Sequence, residues 1–267
     1  MNRPLSKMTR KNVSHIRTKT NMSLANNNKG SFPNKYLLLK FFNLGTKRLQ
    51  LYQLLQQLNI SPITLNALSV IPREFFLPYK NVELAYEDKP IPISFNQTIS
   101  QPSLVCKMID KLEINKSHNV LEIGTGIGYN ASILSLLSRE VVTIEIIKGL
   151  VRRASARINF CEQIGILKNN ISLIHGDGNK GYIQNSPFDR IIVTCGSFEE
   201  IPPKLLEQLA EGGIMIIPIK ERQTSGKILE LINIIRKING KISIQKDIGV
   251  RFVPFVRNDK LVSKKII

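Results

Sequence analysis

The chain has no tryptophan, only three cysteines and three histidines in 267 residues, and no acidic residue before Glu74. Each shortage excludes something. Cys106, Cys161 and Cys195 are odd in number and widely separated, so they offer neither a disulfide framework nor a C-x-x-C motif and read as reduced core thiols. His15, His118 and His175 are equally scattered, which leaves no zinc constellation and no metal cofactor to expect. No apolar run approaches the roughly 18 residues of a membrane span, and no continuous hydrophobic segment of signal-peptide type opens the chain. The expectation is a cytoplasmic protein with no membrane partner. The missing acids also explain the formal charge of +18: residues 1–73 hold 12 Lys or Arg and no carboxylate, whereas the remaining 194 hold 26 basic and 20 acidic residues. A basic, Asn- and Ser-containing lead of this kind is read as a disordered extension, as a targeting sequence, or as residues preceding a start at Met8 or Met22. It lacks the interleaved aromatics of a nucleic-acid arm, so no stable nucleic-acid partner is expected.

What the chain does have is Val120-Leu-Glu-Ile-Gly-Thr-Gly-Ile-Gly-Tyr129, an apolar run that ends in an acid and enters three glycines at alternate positions. Gly124, Gly126 and Gly128 let the main chain turn sharply between a buried strand and a helix, and they let a ligand lie against bare peptide. The dinucleotide fingerprint would want its third glycine at position 129, where Tyr129 stands. The pattern E-x-G-x-G-x-G, counted from Glu122, resembles instead the loop of the S-adenosylmethionine-dependent methyltransferases. The next apolar run closes on a second carboxylate, Glu145, and an acid at a second strand's end can hold both hydroxyls of a ribose. Together these residues read as a nucleoside site with no phosphate to bind.

Apolar stripes at helical spacing lie on either side of Gly45 across residues 36–58, and Ser61-Pro62 supplies a candidate N-cap and first-turn proline for a short helix. Pro72, Pro78, Pro90 and Pro92 make residues 72–100 a poor place for regular structure and a candidate substrate loop. A helix is predicted over 102–112, followed by strands over 120–123, 141–144, 171–174, 190–193 and 214–217 with helical patterns between them. Short, fully apolar strands separated by helices imply a parallel sheet covered on both faces. Asn239-Gly240, the preferred type I′ dipeptide, then joins 228–238 to 241–248, as an antiparallel hairpin unless the first arm is helical. The predicted fold is doubly wound α/β with a mostly parallel sheet, an N-terminal helical subdomain and an antiparallel C-terminal edge. Its parts are the basic extension (1–46), a helical segment with the substrate loop (47–115), a cofactor-binding core (116–220) and the closing hairpin (221–267).

Laid in order, several segments resemble one family, the protein-L-isoaspartate O-methyltransferases, which have the class I methyltransferase fold. They are Ile71-Pro-Arg-Glu-Phe-Phe, Ala85-Tyr-Glu-Asp-Lys-Pro-Ile-Pro-Ile, Asn96-Gln-Thr-Ile-Ser-Gln-Pro102, the glycine loop, His175-Gly-Asp-Gly178, Pro187-Phe-Asp-Arg-Ile-Ile-Val-Thr194, Gly212-Gly213 and Val250-Arg-Phe-Val-Pro254. The glycine loop is shared by many methyltransferases, while Gln-Thr-Ile-Ser-Gln-Pro is specific to this family. The resemblance implies that Gln97, Thr98, Ile99 and Ser100 line the junction of cofactor and substrate, with Ser100 at the position assigned as active and Thr98 beside it. It further implies that Glu122, Gly124, Thr125, Gly126 and Gly128 form the methionine and adenosine platform, that Glu145 binds ribose, that Asp177 and Gly178 contact adenine, and that Thr194 opens the loop at the reacting end. Ser100 could also cap the helix after Pro102. Asn96, Ser94 and Cys195-Gly196 depart from the family's glycines and small alanines.

The implied reaction is transfer of a methyl group from S-adenosyl-L-methionine to the α-carboxyl of L-isoaspartyl residues in age-damaged proteins, with D-aspartyl residues as a further candidate, leaving S-adenosyl-L-homocysteine. A sulfonium methyl is already activated, and a carboxylate with a reference pKa below about 4 is already ionised, so no general base is required. Catalysis then reduces to in-line positioning and exclusion of water. Substrates with many sequences point to recognition of peptide backbone near residues 91–100 and Val253-Pro254 by a monomer. Two rivals stay open: a methyltransferase for RNA or another substrate, and a non-catalytic cofactor-binding relative. Thr194-Cys-Gly-Ser197 lacks the Asn-Pro-Pro-aromatic set of base methylation. Asn239-Gly240 is itself expected to form isoaspartate slowly, because glycine scarcely hinders succinimide closure.

Overall fold

The computed structural model describes residues 35–196, 198–222 and 227–250. The readings of residues 1–34, of Ser197 and of Val253-Pro254 lie outside the described residues. Tertiary contacts divide the chain into residues 1–45 and residues 46–267.

Of the first unit, the described part is the opening of α1 (Lys35–Gln57), which runs unbroken through Gly45 into the second unit. The stripes predict helix on both sides of that glycine, and a single interior glycine, at about 1 kcal/mol, is not enough to interrupt it. Leu51 and Leu55 are buried from this helix. The next helix, α2 (Pro62–Val70), starts as its sequence requires: Pro62 is in the first turn and the Ser61 hydroxyl accepts from the Thr64 amide at 3.2 Å. The Asp110 carboxylate secures this cap, accepting from the Ser61 amide at 2.8 Å and the Ser61 hydroxyl at 2.7 Å.

The proline-rich stretch is more ordered than its composition suggests. It forms two 3-10 turns, Arg73–Phe76 and Tyr79–Leu84, and a small antiparallel hairpin of β1 (Ile91–Pro92) and β2 (Thr98–Ile99). Helix α3 (Pro102–Lys111) follows. Its cap is not Ser100: Gln101 occupies the N-cap without a side-chain bond, and Asp88 accepts from the Ser103 amide at 2.8 Å. A carboxylate reaching from the preceding loop therefore does what a local serine would have done.

The remainder alternates: β3 (Asn119–Ile123), α4 (Tyr129–Leu137), β4 (Glu140–Glu145), α5 (Lys148–Gln163), β5 (Ile171–His175), β6 (Phe188–Val193), α6 (Pro203–Gln208), β7 (Leu209–Arg222), β8 (Ile228–Ile238) and β9 (Lys241–Val250). The seven-stranded sheet has the order β5-β4-β3-β6-β7-β8-β9, parallel from β5 to β7 and antiparallel for the last two pairings. Strand residues are buried on both sides: Leu121, Ile123, Val142, Ile144, Ile191 and Val193 join one core cluster, while Val120, Val141 and Ile192 are buried on the opposite face. This doubly covered sheet explains why the strands read as continuous apolar runs. Segment 228–238 is strand, which resolves the alternative helical reading; Asn239 and Gly240 take φ of 52° and 70°, as a type I′ turn needs.

Chain order reverses between β3 and β6, which makes the carboxyl ends of these neighbours the topological switch point where open α/β sheets bind ligands.

Candidate active site

A cleft opens at that switch point. Its floor is the glycine loop after β3, with Ile123, Gly124 and Gly126. One wall is the end of β4 and the start of α5 (Ile144, Glu145, Ile146, Ile147, Leu150). Gly178 and the Thr194-Cys195 segment after β6 form another, and Gln97 and Thr98 of the β1–β2 hairpin close the side.

Backbone approach decides where glycine is indispensable. Gly124 has φ +99°, and a β-carbon there would stand 2.7 Å from the Cys195 β-carbon. At Gly178 the conflict is steric only, since an added β-carbon would meet Ile123 Cγ2 at 2.2 Å. Both sites bring main chain up to the cleft without a side chain in between. Thr194 braces the same junction, its hydroxyl donating to the Gly124 carbonyl at 2.8 Å. Gly128 begins α4 as its N-cap and does not line the cleft.

The two acids of the motif have different surroundings. Glu145 faces the cleft, and its carboxylate accepts from the Gly126 amide and the Ile147 amide, each at 2.9 Å. It therefore fixes the loop and the first turn of α5, with lone pairs left for a ligand. Burial raises its pKa, and the backbone amides oppose the rise. Glu122 is fully buried behind the loop. Thr143 donates to it at 2.5 Å and Asn130 at 2.7 Å, while Thr125 and Thr143 share a hydroxyl contact of 2.6 Å. Burial pushes the Glu122 pKa up to about 7. Glu122 and Thr125 thus shape the loop from below and do not line the cleft.

The hairpin carrying Gln97 and Thr98 is pinned. Residues 94–97 form a tight turn closed by the Gln97 amide on the Ser94 carbonyl at 3.1 Å, with φ of 58° at Phe95 and 55° at Asn96. Asn96 thus holds a left-handed position that favours glycine, as its tolerance for that region allows. Phe95 is held there by α5: its ring occupies the space where a Gly149 β-carbon would be, at 2.1 Å, and the Arg153 guanidinium lies 5.6 Å above it. Arg153 also donates to the Ser94 hydroxyl at 2.7 Å.

Among the remaining expected site residues, Ile99 turns into the core, and Asp177 accepts from the Asn179 amide at 3.0 Å as an N-cap outside the cleft lining. Ser100 is half-buried beside the hairpin, and its hydroxyl has no hydrogen-bond partner among the described residues. Its carbonyl accepts from the fully buried Arg73 at 2.7 Å. The Arg73 guanidinium stacks 4.8 Å from the Tyr129 ring centroid, and its Nε and Nη1 have no partner among the described residues. Burial lowers its pKa, and the Tyr129 phenol offsets part of that. Arg73 joins the first 3-10 turn to the Ser100 backbone, a role that its place in a short local motif does not reveal. An Arg73→Met variant is expected to fold with near wild-type stability, because an incompletely paired buried cation is replaced by an apolar side chain of similar length. Its kcat should fall about tenfold as the Ser100 backbone loses one charge-assisted bond. Urea unfolding and steady-state kinetics on the same preparations check both parts.

Ile146, Ile147, Leu150 and Cys195 also line the cleft. The sequence holds a signal for Ile146 and Ile147, which directly follow the ribose-type acid, and for Cys195, which directly follows Thr194; Leu150 is brought in by the first turn of α5. No Lys or Arg is among the lining residues, and no group of three metal-ligating side chains occurs among the described residues. No helix among them is long and apolar enough to cross a membrane.

A bare-backbone cradle and an acid at the second strand's end, set on this sheet, have the form of a class I S-adenosylmethionine-dependent methyltransferase fold. The family model for protein-L-isoaspartate(D-aspartate) O-methyltransferase matches residues 47–260, and the chain belongs to that family. It is 42% identical to the protein-L-isoaspartate O-methyltransferase of Thermosipho melanesiensis, over 77% of this chain and 100% of that one. With the Fervidobacterium nodosum enzyme of the same name it shares 43% identity, over 76% and 98% of the respective chains. A solved protein-L-isoaspartate O-methyltransferase superposes with a TM-score of 0.69 at 30% identity, covering 79% of this chain and 66% of the other. A Plasmodium falciparum chain crystallised with S-adenosyl-L-homocysteine shares the fold, with a TM-score of 0.67 at 24% identity over 79% and 99% of the two chains.

Proposed function

We propose that this chain methylates the α-carboxyl of L-isoaspartyl, and also D-aspartyl, residues in damaged proteins, initiating their return to normal aspartate through a succinimide. The observation that carries the reading is the β1–β2 hairpin, which brings Gln97 and Thr98 into the lining of a nucleoside cradle, with Ser100 two residues further along the chain. The residues fit S-adenosylmethionine: Glu145 has acceptors for a ribose diol, Ile146, Ile147 and Leu150 offer an apolar wall for the base, and Gly124 and Gly126 leave room for the methionine moiety. Bound there, that molecule supplies an electrophilic methyl on a sulfonium.

The chain's own work is orientation. Thr98 and Ser100 provide hydroxyls to hold the incoming carboxylate, and the pinned hairpin shields the reacting centre from water. A carboxylate nucleophile arrives ionised, so neither a base nor a Lewis-acidic metal is needed. With isoaspartyl peptide and methyl-labelled cofactor, the wild-type protein is expected to form a base-labile ester that releases methanol. Ser100→Ala should lose at least about tenfold in kcat with cofactor affinity unchanged, the magnitude of one hydrogen bond to a charged group. Stable label in RNA, or binding without transfer, would refute the proposal.

A further inference from the structure

The Asn239-Gly240 dipeptide is the motif most prone to the damage this family acts on, yet its surroundings alter its chemistry. It forms the tip of the β8–β9 hairpin, and Glu211 at the start of β7 reaches it. One Glu211 oxygen accepts from the Asn239 amide and the other accepts from the Gly240 amide at 3.1 Å. The Gly240 nitrogen is the atom that would react. In succinimide formation hydroxide removes its proton, the nitrogen attacks the Asn239 side-chain carbonyl carbon, a C–N bond forms and ammonia leaves. Water then opens the ring to aspartate or isoaspartate.

A carboxylate bonded to that N–H opposes the first step, since losing the proton would set an amide anion against a carboxylate. It also keeps the nitrogen turned toward Glu211, in a turn whose left-handed φ values at both residues are fixed by the paired strands. We propose that Glu211 is a guard residue that protects this latent modification site, holding Asn239-Gly240 undamaged as long as the hairpin tip is closed. The location makes protection useful. Strand β7 runs parallel to β6, so its beginning lies at the end of the sheet opposite the cleft, and no chain can bring its own Asn239 to its own active site.

The test incubates the full-length protein at pH 8 and 37 °C and follows intact Asn239 and its aspartyl and isoaspartyl products by peptide mapping, with a synthetic peptide spanning residues 236–242 as the unguarded reference. Wild-type protein is expected to deamidate at Asn239 at least about tenfold more slowly than the peptide, and Glu211→Ala should accelerate it about tenfold, the equivalent of one charge-assisted hydrogen bond. Glu211→Gln, which keeps one acceptor and loses the charge, should lie between. Wild-type damage as fast as in the peptide, no acceleration in Glu211→Ala, or slower damage in that variant would overturn the guard role. So would equal acceleration at Asn159 on α5, because that pattern reports general loosening of the fold.

Discussion

Replacing Glu145 by alanine is expected to weaken S-adenosylmethionine binding by about two orders of magnitude, because two hydrogen bonds to a charged acceptor are lost, at about 1.5 kcal/mol each. The loss has a second origin in the protein itself. The same carboxylate accepts the Gly126 and Ile147 amides, so its removal leaves two backbone donors unsatisfied and frees the glycine loop from the start of α5. Glu145→Gln should be nearly as damaging, since one oxygen becomes an NH2 group facing a backbone N–H. Calorimetric titration with S-adenosyl-L-homocysteine measures the effect directly; an affinity within threefold of wild type in both variants would remove Glu145 from the cofactor site. Burial raises the Glu145 pKa, so wild-type affinity should also decline on acidification at a higher pH than an exposed glutamate would give.

Glu122→Gln is expected to have the opposite sign, stabilising the protein at pH 8 by on the order of 3 kcal/mol. Burial lifts the Glu122 pKa from 4.5 to about 7, so between those values the folded chain keeps a proton that the unfolded chain has released. The contribution to stability is therefore complete below about pH 4.5 and is lost as the pH rises through about 7. Glutamine imitates the neutral acid at every pH. Its oxygen can accept from Asn130, and its NH2 can donate to Thr143, whose hydroxyl then turns to Thr125. Urea denaturation of both proteins at pH 5 and pH 8 should show a gap that opens with pH. A variant less stable than wild type at pH 8 would show that the Glu122 charge is supported by its neighbours.

The uneven behaviour of these two acids marks where sequence reasoning reaches its limit. The parallel strands, the glycine loop and the Asn239-Gly240 turn were legible, because each rests on local patterns: apolar runs of strand length, spaced glycines, a dipeptide that accepts positive φ. Glu145 was legible for the same reason, as an acid ending a strand. Glu122 looked equivalent, yet whether a side chain at a strand's end points under the loop or into the cleft depends on the neighbouring strand, which supplies Thr143. The caps show the same limit. Ser61 carries its own cap in sequence, whereas α3 is capped by Asp88 from outside the helix. Nothing local to Arg73 signals its role, because its contact with Ser100 spans 27 residues and needs the proline-rich loop to fold back.

The seating of Phe95 over Gly149 ties two distant positions into one inherited unit. The ring fills the volume that any larger residue at 149 would need, so substitutions at the two sites are not independent. A side chain at 149 requires the half-exposed Phe95 ring to leave its seat or position 95 to become smaller, so each change alters the cost of the other. Their free energies should be non-additive, and a double-mutant cycle at positions 95 and 149 measures the coupling.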